Sequence, residues 1–132
     1  MPYTQLIHRA IQAQSRAIVP YSDFRVGAAL LTDSDQIYTG CNIESSSYGL
    51  TLCAERVALF KALSEGEQSF KAIAIATPSD LYCPPCGACR QVLWDFAGDI
   101  DVILVARTGK NTIVKLSDLF PHPFDDGFLI HD

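Results

Sequence analysis

Apolar and polar positions along the 132-residue chain change their period several times, and each change marks an element. Between residues 3 and 19, Leu6, Ile7, Ala10, Ile11, Ala13, Ala17 and Ile18 recur at helical spacing, with Gln12, Gln14 and Arg16 on the other face. This predicts an amphipathic helix stopped by Pro20. Val26–Leu31 and Gln36–Cys41 flank the turn-forming run Thr32-Asp33-Ser34-Asp35 and predict a β-hairpin. A polar stretch from Asn42 to Gly49 leads into Leu52–Leu63, which is helical in character and apolar almost all round, with Thr51 as predicted N-cap and Gly66 as C-terminal stop. Ala72–Thr77, small, apolar and bounded by Pro78, predicts a central strand covered on both faces. Cys89, Val92, Leu93, Phe96 and Ala97 then fall on one buried face of a further helix. Ile100–Ala106 and Thr112–Lys115 predict two more strands around Thr108-Gly109-Lys110-Asn111, and Ser117–Phe120 a short last helix ended by Pro121. The order α-β-β-α-β-α-β-β predicts an α/β fold with helices packed on a mixed sheet of about five strands.

No repeat, linker or low-complexity stretch interrupts this pattern, and the length suits one domain over residues 1–132. With 48% hydrophobic and 19% charged residues, the chain has the material for a core and is not disordered by composition. Its net charge of −5, with the positive residues dispersed from Arg9 to Lys115, speaks against nucleic acid or an anionic membrane surface as partner. No signal-like start or long apolar run is present, so a cytoplasmic protein with no membrane partner is expected. Five cysteines are an odd number for a disulfide framework. In a reducing compartment, clustered cysteine points to metal binding or chemistry.

Two segments carry that chemistry: Thr51-Leu52-Cys53-Ala54-Glu55-Arg56 and Pro85-Cys86-Gly87-Ala88-Cys89-Arg90. Glu55 and Arg56 set adjacent opposite charges in an otherwise apolar helix, and such groups are rarely buried without partners. Cys53 lies two residues after the predicted N-cap, where the helix dipole favours a thiolate, and Cys86 and Cys89 stand similarly at the next helix. Three thiolates from two helix starts can close on one Zn²⁺, leaving the fourth tetrahedral position for water, as in a catalytic site. Cys83 and Cys86 form a competing Cys-x-x-Cys unit, but Pro84 and Pro85 inside it prevent a helical turn, whereas Gly87-Ala88 permit one. Cys86 and Cys89 are therefore the expected ligands, and Cys83 and Cys41 small, half-buried thiols.

These residues resemble the small, homotetrameric cytidine deaminases, and the likeness runs over nearly the whole chain. It covers Pro20-Tyr21-Ser22, Phe24-Arg25-Val26-Gly27-Ala28-Ala29-Leu30, Gly40-Cys41-Asn42-Ile43-Glu44, the two cysteine segments and Leu119-Phe120-Pro121-His122-Pro123-Phe124. The resemblance implies a three-layer sandwich and one zinc ion per subunit on Cys53, Cys86 and Cys89. It further implies Glu55 as the proton shuttle in hydrolytic deamination of cytidine and 2′-deoxycytidine, a step of pyrimidine salvage. Three thiolates and Zn²⁺ sum to −1, which opposes an anion at the metal, and Arg56 is the implied counter-charge. By the same likeness Asn42 and Glu44 hold the ribose, Phe24 walls the base and the Ala54 N–H donates to the base carbonyl. Tyr48 and Phe124 are implied to reach a neighbouring subunit's site. An apolar tail of Phe124, Phe128, Leu129 and Ile130 agrees with a homotetramer. Pro84 departs from the small residue common at its position, where the family's backbone carbonyl accepts the substrate amine; proline keeps that carbonyl. The alternative, a blasticidin-S type deaminase, is disfavoured by Asn42-Ile43-Glu44 and Arg56, and a purely structural zinc module by Glu55.

Overall fold

The computed structural model describes residues 3–125 and 127. Helix α1 (Thr4–Ala13) precedes the hairpin β1 (Gly27–Thr32) and β2 (Ile37–Cys41), then α2 (Ala54–Ser64), β3 (Phe70–Ala76), α3 (Gly87–Ala97), β4 (Asp101–Val105), β5 (Asn111–Lys115) and the single turn α4 (Leu116–Leu119). One five-stranded sheet runs in the order β2-β1-β3-β4-β5. Among the described strands of this sheet only β3 and β4 pair in parallel, and α3 is the crossover that such a pair needs. The mixed sheet with helices on both faces is the architecture expected from the sequence.

The alternation within β3 explains the layers. Ala72, Ala74 and Ala76 pack with Leu6, Ile7 and Ala10 of α1, while Ile73 and Ile75 pack on the other face with Ala58 and Leu59 of α2 and Leu93 of α3. Two glycines let the helices come close. A Cβ at Gly27 would sit 2.1 Å from the Ala10 carbonyl oxygen of α1, and one at Gly40 would sit 2.5 Å from the Ala54 carbonyl oxygen of α2. The first turn of α2 is thus seated directly against β2. Its far end closes in a Schellman motif, with Gly66 at φ +93° donating to Leu63 and Glu67 donating to Ala62.

Four expectations are corrected. Helix α1 ends at Ala13 and continues as a short 3₁₀ turn to Arg16, well before Pro20. The cause is a non-local pairing: Ile18 donates to the Asn42 carbonyl and accepts from the Glu44 N–H, which draws the chain into an extended bridge. Leu52 is likewise paired with Ile43, so α2 starts at Ala54 and its N-cap is Cys53 rather than Thr51. Phe96 is 51% exposed instead of belonging to the buried face that Cys89 and Leu93 define. The last helix begins one residue early, at Leu116, because that side chain is fully buried in the core.

Candidate active site

Both cysteine segments reach the end of the sheet where the parallel strands β3 and β4 finish, the position at which α/β folds build their sites. Leu52 exchanges both backbone hydrogen bonds with Ile43, at 3.0 Å each, and this bridge delivers Cys53 to the N-cap of α2 in extended conformation. Cys86 is the N-cap of α3 in the same conformation, and Cys89 follows in the first turn. The expectation that Cys53 lies inside its helix is therefore corrected: it stands at the entrance, where the helix N–H groups point.

The Sγ atoms of Cys53, Cys86 and Cys89 lie within 4.8 Å of one another. Cys53 and Cys86 are 3.7 Å apart and Cys86 and Cys89 3.4 Å. A tetrahedral zinc with Zn–S bonds of about 2.3 Å places its sulfurs about 3.8 Å apart, so this triad fits the ion. Cys83 stays outside it, half-buried, with its thiol directed to the Leu81 carbonyl at 3.8 Å, and Cys41 is also separate. His8 and His122 are exposed on the surface, and His131 lies outside the described residues.

Charge at the triad is arranged unevenly. Cys53 is held down to about 5 by the Cys89 thiol that bonds to it and, against its own burial, by Arg56 and Cys86. Cys89 is pushed up by that same bond and by burial, so of these two sulfurs Cys53 is the one that favours the thiolate. An Arg56 terminal nitrogen lies 3.5 Å from the Cys53 sulfur and 3.4 Å from the Thr51 carbonyl oxygen, while its buried Nε has no partner. Contact with Cys53 raises the Arg56 pKa, a mutual effect that keeps this guanidinium charged beside the sulfurs. Glu55 is 4% exposed and its carboxyl is pushed up to about 7, first by burial and then by the negative charge of Cys53. A carboxyl titrating there can both take and give a proton near neutral pH.

Beside the triad opens a cleft of about 160 Å³ lined by Phe24, Val26, Asn42, Ala54, Glu55 and Thr77, among others. The Ala54 N–H precedes the first bond of α2, from Val57 to the Cys53 carbonyl, and so belongs to the free N–H groups of the helix start. Asn42 makes two local bonds, accepting from the Val26 N–H at 3.0 Å and donating to the Phe24 carbonyl at 2.8 Å, and this holds Phe24 at the wall. An adjoining hollow shares Thr51 with the cleft and is lined by Tyr21, Ser22, Glu44 and Tyr48. Glu44 accepts from the Tyr21 and Ser22 N–H groups and from the Ser22 hydroxyl, which keeps its pKa low. Tyr48 is 74% exposed and packs edge-on against Tyr21. Phe124 is 52% exposed and does not line the cleft; Phe128, Leu129 and Ile130 lie outside the described residues.

Sequence reasoning passed over Thr51, Thr77 and Gly40 as parts of this site. Thr51 supplies the carbonyl that Arg56 touches, and Thr77, buried on the cleft floor, follows the last residue of β3. A threonine at the end of an apolar strand was the available signal for the second.

The model of the cytidine and deoxycytidylate deaminase zinc-binding region matches residues 2–106. A cytidine deaminase of Halalkalibacterium halodurans is 48% identical over 125 residues, covering 94% of this chain and 95% of that protein. The 1.6 Å crystal structure of cytidine deaminase from Burkholderia pseudomallei superposes with a TM-score of 0.90 at 42% identity, covering 94% of this chain and all of that one. A blasticidin-S deaminase of Bacillus cereus is more distant, 33% identical over 104 residues.

Proposed function

This chain belongs to the cytidine and deoxycytidylate deaminase family, and from that premise we propose that it hydrolyses cytidine and 2′-deoxycytidine to uridine and 2′-deoxyuridine with release of ammonia. The observation that carries this reading is the buried Glu55 carboxyl, titrating near 7, on the same helix turn as Cys53 of the three-cysteine cluster. Cys53, Cys86 and Cys89 would hold the ion, which when bound would supply an activated water to the cleft. Glu55 takes one proton from the attacking water and delivers it to N3, then takes the proton of the C4 hydroxyl so formed and gives it to the departing amine, so one carboxyl serves as base and as acid. Arg56 offsets the excess thiolate charge.

Binding follows from the cleft. Phe24 covers one face of the base, and the Ala54 N–H donates to its carbonyl. Asn42 retains one N–H and an oxygen lone pair beyond its local bonds, and with Glu44 in the adjoining hollow it holds the ribose. The Pro84 carbonyl accepts the leaving amine. Exposed apolar side chains, among them Phe60, Phe96, Tyr48 and Leu50, support a homotetramer in which Tyr48 and Phe124 complete neighbouring sites. We take the 132 residues as one domain, acting in the cytoplasm in pyrimidine salvage. The lower identity to the blasticidin-S enzyme supports the nucleoside over that antibiotic as substrate.

An absorbance assay on cytidine, 2′-deoxycytidine and free cytosine, run before and after chelation, tests this. Both nucleosides are expected to be deaminated, cytosine poorly, and chelation should abolish turnover until zinc is restored. Zinc-loaded protein that leaves cytidine untouched refutes the reading.

A further inference from the structure

Arg90 directly follows Cys89 and holds two distant carbonyls at once. Its Nε donates to the Pro85 carbonyl and its Nη1 to the Leu119 carbonyl, each at 2.7 Å. Pro85 is fully buried and immediately precedes Cys86, so the first bond fixes the peptide plane from which the exposed Cys86 projects. Pro84 and Pro85 have no backbone N–H, and the loop they form can be anchored by hydrogen bonds only through its carbonyls. Arg90 supplies that anchor from within α3. The second bond satisfies the last carbonyl of α4.

Two further side chains of α3 reach the same C-terminal segment. Gln91 donates to the Phe124 carbonyl at 2.7 Å, and the Trp94 ring meets Phe120 edge-on with centroids 6.4 Å apart. Positions 90, 91 and 94 adjoin on one stripe of the helix. Residues 116–124 are therefore seated along the helix that carries Cys89, and of these three side chains Arg90 alone also grips the loop leading to Cys86.

We propose that Arg90 is a positioning residue of the metal site, splinting the Pro85–Cys86 loop to the C-terminal segment so that the Cys86 sulfur stays in ligand geometry. The inference rests on the reading of Cys53, Cys86 and Cys89 as zinc ligands. A guanidinium suits the task because its planar fork serves two acceptors from separate nitrogens at a fixed angle, whereas an ammonium carries its three donors on one atom.

The test follows zinc release to an excess of a colorimetric chelator, together with the thiolate-to-metal absorption band of Cd²⁺-substituted protein. Wild type, Arg90→Ala and Arg90→Lys are compared with Val114→Ala, a β5 core change chosen to match the loss of thermal stability. Arg90→Ala should release zinc about tenfold faster and weaken the band, as loss of outer-shell support does elsewhere. Arg90→Lys should fall between, and Val114→Ala should release at the wild-type rate. The turnover number of Arg90→Ala on cytidine should fall while KM holds. Wild-type release and band in both Arg90 variants overturn the proposal, as does equally fast release from Val114→Ala. If Arg90→Ala does not fold, Arg90→Lys decides, and wild-type zinc release from it overturns the proposal. A wild type that binds neither zinc nor Cd²⁺ would refute the ligand assignment itself, and that shows before any variant is measured.

Discussion

On the α1 side of the sheet the buried side chains are apolar and mostly small: Leu6, Ile7 and Ala10 against Ala29, Ala72, Ala74, Ala76, Ile103 and Val105. Across the sheet, α2 buries Glu55 beside Ala54, Ala58 and Leu59 and places Arg56 against Cys53, and the entrances of α2 and α3 meet at the cysteines. The first face is a packing surface. The second buries a carboxyl whose pKa is raised by that burial, an energetic cost of the kind that clusters at functional sites. A substitution on the α1 face should accordingly change how stable the protein is, and one on the α2 and α3 face what it can do.

The largest contrast is Cys89→Ser against Leu6→Ala. Cys89→Ser should lose zinc, measured by metal analysis, and with it turnover by several orders of magnitude. Leu6→Ala should lose about 2–5 kcal/mol of stability in denaturant titrations and keep its zinc and, while folded, its rate. A sharper pair is Gly40→Ala against Gly27→Ala, both of which force a Cβ into a helix backbone. Each should lower stability by about 1–3 kcal/mol, but only Gly40→Ala, which displaces the turn bearing Glu55, should lower the turnover number of the folded fraction. Equal kinetics in the two would break the comparison.

A smaller effect lies at the rim of the packing face, where the Tyr3 hydroxyl donates to Asp101 at 2.6 Å. That bond, with Lys115, holds the Asp101 carboxyl below the usual range. A depressed folded pKa means stability that is present above the unfolded pKa and lost as pH falls through the folded value. Tyr3→Phe should therefore lower stability by about 1 kcal/mol at neutral pH, with a gap to wild type that closes on acidification. Smallest of all, Cys83→Ser and Cys41→Ser should leave zinc content unchanged; metal loss in Cys83→Ser would move the ligand register by three residues.

Much of this division was legible in the chain. The alternation of alanine and isoleucine in Ala72–Ala76 announced a strand covered on both sides, and the prolines before Cys86 separated Cys89 from Cys83 as its partner. What escaped were consequences of pairing between distant segments. Neither the early end of α1 nor the delivery of Cys53 to an N-cap can be read locally, because both follow from Ile43 bridging Ile18 and Leu52. Asn42 shows the same limit: its amide is a binding candidate in the sequence, and in the fold it also holds the Phe24 and Val26 backbone. Gly40 carries no local sign that a helix will press on it.

The most direct test of the central claim is turnover of cytidine by Glu55→Gln, with zinc per chain measured on the same sample. The variant should bind as much zinc as wild type and lose about 10²–10⁴-fold in rate, the range for a positioned acid–base group. A metal-loaded Glu55→Gln protein that deaminates cytidine at close to the wild-type rate would contradict the account.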